Sequence, residues 1–109
     1  MPTTYKVLAQ SYPTAATAST LYTVPSATQT VISTINVANQ STNADTIRIA
    51  VRPAGETLEA KHYIVYNIVL PGRAQYQTTS GITLGATDVV TVYSANGTSS
   101  FNSFGSEIS

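Results

Sequence analysis

The chain has 109 residues, about the size of one domain, and a domain of that length buries roughly two-thirds of the surface its extended chain would expose. Hydrophobic residues make up 42% of it and charged residues only 9%, against roughly 25% charged in an ordinary soluble domain, so the surface should be rich in Thr, Ser and Asn and weakly charged. Five basic residues balance five acidic ones, which excludes the electrostatic footprint of a protein that tracks a phosphate backbone, and the absence of cysteine excludes a disulfide framework, a thiolate metal site and a cysteine nucleophile.

From the N-terminus, residues 1–19 are rich in Ala, Thr and Ser with few large apolar groups, and read as an extended arm or edge strand ordered mainly by a neighbour. Residues 1–6 show no charged leader before an apolar run. The most apolar window, 63–70, is broken by Asn67 and falls far short of the roughly 20 residues that span a bilayer. The expectation is a protein made in the cytoplasm, with neither a membrane nor nucleic acid as partner.

Beyond the arm, β-branched and aromatic runs predict strands at 20–24, 30–38, 46–52, 62–70, 74–79, 88–94 and 99–108, with 4–9 as a further one, about eight in all. The run 46–52 shows the pattern best: Ile47, Ile49 and Val51 point one way and Thr46, Arg48 and Arg52 the other. In 62–70, the same alternation sets Tyr66 on the face of Ile64 and Ile68, which predicts a core position. Turn chemistry separates the runs at Val24-Pro25-Ser26, 39–45, Pro53-Ala54-Gly55, Pro71-Gly72, 85–88 and Asn96-Gly97. Asn96-Gly97 suits a type I′ turn, so 89–94 and 99–104 are expected to pair as a hairpin. Residues 56–61 read as a helical turn on a connection. Short strands about ten residues apart, with no amphipathic helix between them, predict an all-β fold over 1–109, a single antiparallel β-sandwich or jelly roll, with an open barrel as the alternative.

Candidate chemistry is sparse. His62 is the one histidine, at the start of an apolar strand and in no Gly-x-Ser-x-Gly elbow, and reads as structural rather than as a general base. Glu56 and Glu59 lie three apart beside Lys61 and read as a solvated patch; Asp88 reads as a turn residue. Asp45 with Asn39 and Asn43 could offer oxygens to calcium, but without the several carboxylates such sites gather, and one histidine without cysteine cannot hold zinc. No phosphate-cradling glycine motif is present. The expectation is a protein with no cofactor, no metal and no catalytic residue, acting through contacts. Strand ends and arms reach neighbours most readily, which singles out Tyr5 and Tyr12, Asn43 in the 39–45 loop, Arg52, Glu56 and Lys61 on the connection, and Tyr76 in a sparse strand. Arg48 projects from its strand as a further group able to orient a partner.

A resemblance adds to this reading. The string Thr20-Leu21-Tyr22-Thr23-Val24-Pro25, the run from Thr28-Gln29-Thr30-Val31-Ile32 to Asn36-Val37-Ala38-Asn39, and Arg48-Ile49-Ala50-Val51-Arg52-Pro53-Ala54-Gly55 resemble small virion proteins of tailed bacteriophages, especially cyanophages. Lys61-His62-Tyr63-Ile64, Gly81-Ile82-Thr83-Leu84, 88–93 and 101–108 continue the pattern over nearly the whole chain. The resemblance implies a non-enzymatic structural component of a virion contacting other virion proteins, and implies no position in the particle; the leading expectation is a homo-oligomer in the tail, at the baseplate, fibre attachment or neck. The alternative it leaves open is a decoration protein clamping capsid subunits on the head. A host-surface glycan is a further, less favoured partner, since the chain has no tryptophan.

Overall fold

Strands that bury one face need a second layer to bury it against, and this chain makes that layer from itself. The structure is a computed structural model and describes residues 2–109. Nine strands occur among them: β1 (Thr3–Ser11), β2 (Ser19–Thr23), β3 (Gln29–Asn39), β4 (Asp45–Arg52), β5 (Tyr63–Leu70), β6 (Gln75–Thr78), β7 (Ile82–Leu84), β8 (Val89–Ser94) and β9 (Ser99–Ile108). The first sheet has the order β1-β9-β3-β6, with β7 pairing β3 beside β6; the second has the order β2-β8-β4-β5. All pairings are antiparallel. This is the strand order of a jelly roll, as expected from the pattern of short strands.

The core lies between the sheets. Ile32, Ile35, Val37 and Phe101 of the first sheet meet Ile47, Ile49, Val90 and Val92 of the second, all fully buried. Truncating Phe101, the largest of them, should cost about 3–5 kcal/mol in lost transfer energy and cavity. In the first sheet, Ser11, Phe101, Val37 and Tyr76 stand in one cross-strand row, and Gln10, Asn102, Asn36 and Gln77 form the next, with the Gln10 amide donating to Asn102 Oδ1 at 2.7 Å.

Four expectations are corrected. Residues 3–11 take the edge-strand alternative, and what is corrected is their ordering by a neighbour, because β1 pairs with β9 of the chain's own first sheet from Thr3 to Ser11. No hairpin joins β8 to β9: β8 lies in the second sheet and β9 in the first, so Asn96-Gly97 carries the chain across the sandwich. A buried carboxylate at that corner, described below, holds the crossing. The segment 56–59 is not helical; single 3₁₀ turns at Pro53–Gly55 and Ala60–His62 flank it, and neither is long enough to cross a membrane. Finally β7 is an added strand. It is split from β6 opposite a bulge between Ile32 and Thr34, where β3 has no residue aligned to pair.

Candidate functional site

Two carboxylates tie the layers together at opposite ends of β9. At its start, Asp45 of β4 is buried and, among the described residues, forms no ion pair. Its Oδ2 accepts from the hydroxyls of Ser94 and Ser99, the latter at 2.6 Å, and its Oδ1 accepts the N–H groups of Thr46 and Asn96, each at 2.9 Å. Burial alone would raise the Asp45 pKa, but the two hydroxyls and two amides together outweigh it and hold the carboxyl below its ordinary value. All its oxygens are taken by donors. Asn39, one of the two asparagines considered with it for a cation, turns its Oδ1 to the Ser41 N–H and Thr98 hydroxyl and its amide to carbonyls of Asn43, Leu70 and Pro71. Among the described residues no three acidic or histidine side chains converge as metal ligands.

At the far end of β9, Glu107 accepts from the Tyr22 hydroxyl of the second sheet and pairs with Lys6 at 2.9 Å. The Tyr22 hydrogen bond and then Lys6 hold the Glu107 carboxyl below its ordinary range. Burial first, and the neighbouring carboxylate second, push the Tyr22 hydroxyl up to about 12. Lys6 and Glu107 are the only formal charges on the strands of the first sheet, and they neutralise each other.

Apart from Arg73 and Asp88, the remaining charge gathers along β4 and the 52–62 connection. Arg52 donates from Nε to the Thr91 hydroxyl at 3.0 Å and from its terminal nitrogen to the Glu56 carbonyl at 2.9 Å, which folds the connection against the second sheet. His62 is buried; its Nδ1 accepts the Glu59 N–H at 2.9 Å, so Nε2 carries the ring proton toward the Glu56 carboxylate at 3.3 Å. Lys61 lies 3.7 Å from Glu59 and 3.9 Å from Glu56. Arg52, Glu56 and Lys61 lie together on this connection and hold one another: Arg52 and His62 build the connection.

Where that connection meets β5, Leu58, Glu59, Ala60, Tyr63 and Tyr66 line a groove of about 440 Å³. The Tyr63 and Tyr66 rings meet edge-on with centroids 4.9 Å apart and planes at 69°. Beside them Arg48 is stacked between Tyr66 and Tyr93, 4.7 and 4.3 Å from their centroids, and donates to Asn67 Oδ1 at 2.6 Å. Tyr66 is 57% exposed, so its expected core position is overturned. Alternation placed it with Ile64, correctly, but β5 is an edge strand whose bulges turn that side chain outward; Ile64, Ile68 and Val69 are exposed with it.

The other candidates divide. Tyr5 is 83% exposed, and with Val7 and Phe104, a cross-strand pair, it forms an apolar stripe on the first sheet. Tyr12 is exposed beside a shallow groove lined by Gln10, Ser100 and Asn102. Asn43 is exposed but its carbonyl is held by Asn39. Tyr76 turns toward Val37 and packs on the core, which removes it from the exposed candidates. The Ile64–Tyr66–Val69 surface was missed, and its one sequence signal is that residues 63–70 contain no charge. Neither a protein-family model, nor a curated protein, nor a solved structure matches this chain.

Proposed function

We propose that this protein is a structural component of a tailed-phage virion, working through protein contacts and without catalysis. Its leading place is in the tail, at the baseplate, fibre attachment or neck; decoration of the head is the alternative. The observation that carries the reading is the pair of exposed apolar surfaces on different sheets, Tyr5–Val7–Phe104 on the first and Ile64–Tyr66–Ile68–Val69 on the second. An exposed apolar patch marks a contact, and two of them let one small domain bridge two neighbours. The resemblance of the chain to small virion proteins supports the same reading, and a jelly roll is a fold that virus particles use, a likeness of fold and not of site. Weak contacts repeated by symmetry add up through multivalency, which suits a chain with no net charge.

A glycan stacking in the Tyr63–Tyr66 groove would find one ring face of Tyr66 already covered by Arg48, and the chain has no tryptophan, so that reading has less support. The test is recovery of the chain with phage particles purified on a density gradient. A fixed number of copies per particle is expected. Particles that contain none would refute a virion role.

A further inference from the structure

Asn96 is the one asparagine of the chain that precedes a glycine. In such a pair the backbone nitrogen of the glycine can reach the side-chain amide, because no Cβ stands in the way, and asparagine is among the chemically labile residues. The reaction needs water and no other reagent. The Gly97 nitrogen gives up its proton and bonds to Asn96 Cγ, the Cγ–Nδ2 bond breaks, and the side-chain nitrogen leaves as ammonia. Water then opens the cyclic imide at either carbonyl, which leaves an aspartate or an isoaspartate whose main chain runs through Cβ and Cγ.

The fold holds both reacting groups. The Gly97 N–H donates to Ser94 Oγ at 3.1 Å, and the Ser94 hydroxyl in turn donates to the buried Asp45 carboxylate. The Asn96 N–H donates to Asp45 Oδ1 and its side-chain amide donates to the Ala44 carbonyl, each at 2.9 Å. Gly97 is also packed closely against β1's far end, where a Cβ on it would stand 2.8 Å from the Ala15 nitrogen. Asn96 itself is exposed, so water has access and what the fold withholds is movement. We propose that Asn96 is a self-modification site gated by the Asp45–Ser94 corner: inert while the corner is closed, and converted when it opens. Conversion runs one way. The new carboxylate has no proton to donate to the Ala44 carbonyl and adds a negative charge near that of Asp45. An isoaspartate also lengthens the main chain before Gly97, so that the N–H groups of Gly97 and Thr98 lose their register on Ser94 Oγ. The corner that carries the chain between the sheets then cannot close as before, and how often it opens limits how long the folded chain lasts.

The test follows the purified full chain at mildly alkaline pH by peptide mapping and mass spectrometry, with isoaspartate identified by enzymatic methylation. In urea that unfolds the chain, Asn96 should be the first asparagine to convert. In buffer its conversion should be at least roughly tenfold slower, equivalent to about 1.4 kcal/mol of protection. As urea is raised below the unfolding midpoint, conversion should quicken in step with hydrogen exchange at the Gly97 N–H, since one opening frees that group for both reactions. Asn96→Asp, which carries the product side chain from the outset, should lower the urea midpoint at neutral pH. Equal rates in buffer and in urea, a rate that does not follow Gly97 exchange, or an Asn96→Asp chain as stable as wild type would overturn the proposal. None of these readouts depends on whether the chain is found in particles, so the two readings fail separately.

Discussion

The Ser99 hydroxyl at the start of β9 lies 2.6 Å from the buried carboxylate of Asp45 at the start of β4, so one sheet holds the first residue of a strand in the other. The same carboxylate takes the hydroxyl of Ser94 and the N–H of Asn96, and thereby fixes both sides of the turn that crosses between the sheets. Removing the carboxylate would leave two hydroxyls and two amides without their acceptor. Such groups cost about 1–3 kcal/mol each when they stay dry, and relaxation lets some of them find water. Asp45→Ala should therefore destabilise the fold by roughly 3–5 kcal/mol, read as a lower urea midpoint with an unchanged slope. A loss below roughly 1 kcal/mol would show that the cluster is not what holds the corner.

The same network sets the acid limit of stability. Asp45 and Glu107 are held below their ordinary values of 3.8 and 4.5, so the folded state releases those protons more readily than the unfolded chain. Their contribution is fully present above those ordinary values and is lost as the pH falls through them toward the lower folded values. Thermal melts followed by circular dichroism should show the melting temperature falling below about pH 4.5, with Asp45→Asn flattening the fall. A wild-type melting temperature constant down to pH 2 would contradict this.

At the alkaline end the sign reverses. Tyr22 is 8% exposed and its hydroxyl is raised to about 12 from an ordinary 10.0, so the neutral hydroxyl is the form the fold favours. That stability is present below pH 10 and is lost as the pH rises from 10 toward 12, on the order of 2–3 kcal/mol for a shift of this size. Tyr22→Phe should remove this part of the alkaline loss while weakening the fold at neutral pH, since Glu107 and Thr30 lose their shared partner. An identical alkaline profile in the variant would place the effect elsewhere.

Much of the fold could be read in advance because β4 alternates cleanly and because turn residues bracket most strands. The order of the strands could not, since nothing local distinguishes a hairpin at Asn96-Gly97 from a crossing between sheets. What decides it is Asp45, which contacts Ser94 and Ser99 from 49 and 54 residues away and looks in sequence like any loop acid. Alternation likewise put Tyr66 and Ile64 together without saying which way the pair faced. That depends on β5 being an edge strand and on Asn67 adopting a φ of 54°. β7, three residues long after Gly81, is too short to show a period.

Two turn positions should respond in opposite directions. Gly97 has φ 69°, and a Cβ there would stand 2.8 Å from the Ala15 nitrogen, so Gly97→Ala should lower the melting temperature through both strain and collision. Ala27 holds φ 55° on an exposed turn, a conformation that costs an L-residue roughly 1–2 kcal/mol. Ala27→Gly relieves that strain and should leave stability equal or higher, despite the greater freedom of the unfolded chain. A clear loss in Ala27→Gly comparable to that in Gly97→Ala would contradict the backbone argument.

His62 is expected to act as a brace. His62→Ala removes the acceptor of the Glu59 N–H, and hydrogen exchange at that amide should quicken at least roughly tenfold, a loss of about 1.4 kcal/mol of protection. His62→Asn, which presents an oxygen near the position of Nδ1, should recover part of the protection. Unchanged exchange in His62→Ala would show that the connection is held by Arg52 alone.

The role of the chain in a particle is tested most directly by immunogold labelling of intact phage with an antibody against it. Label confined to the tail is the result the account predicts, and label over the head would replace the tail position with decoration. Particles that contain the chain nowhere on their surface, with the antibody shown to bind the folded protein, would contradict an exposed structural role.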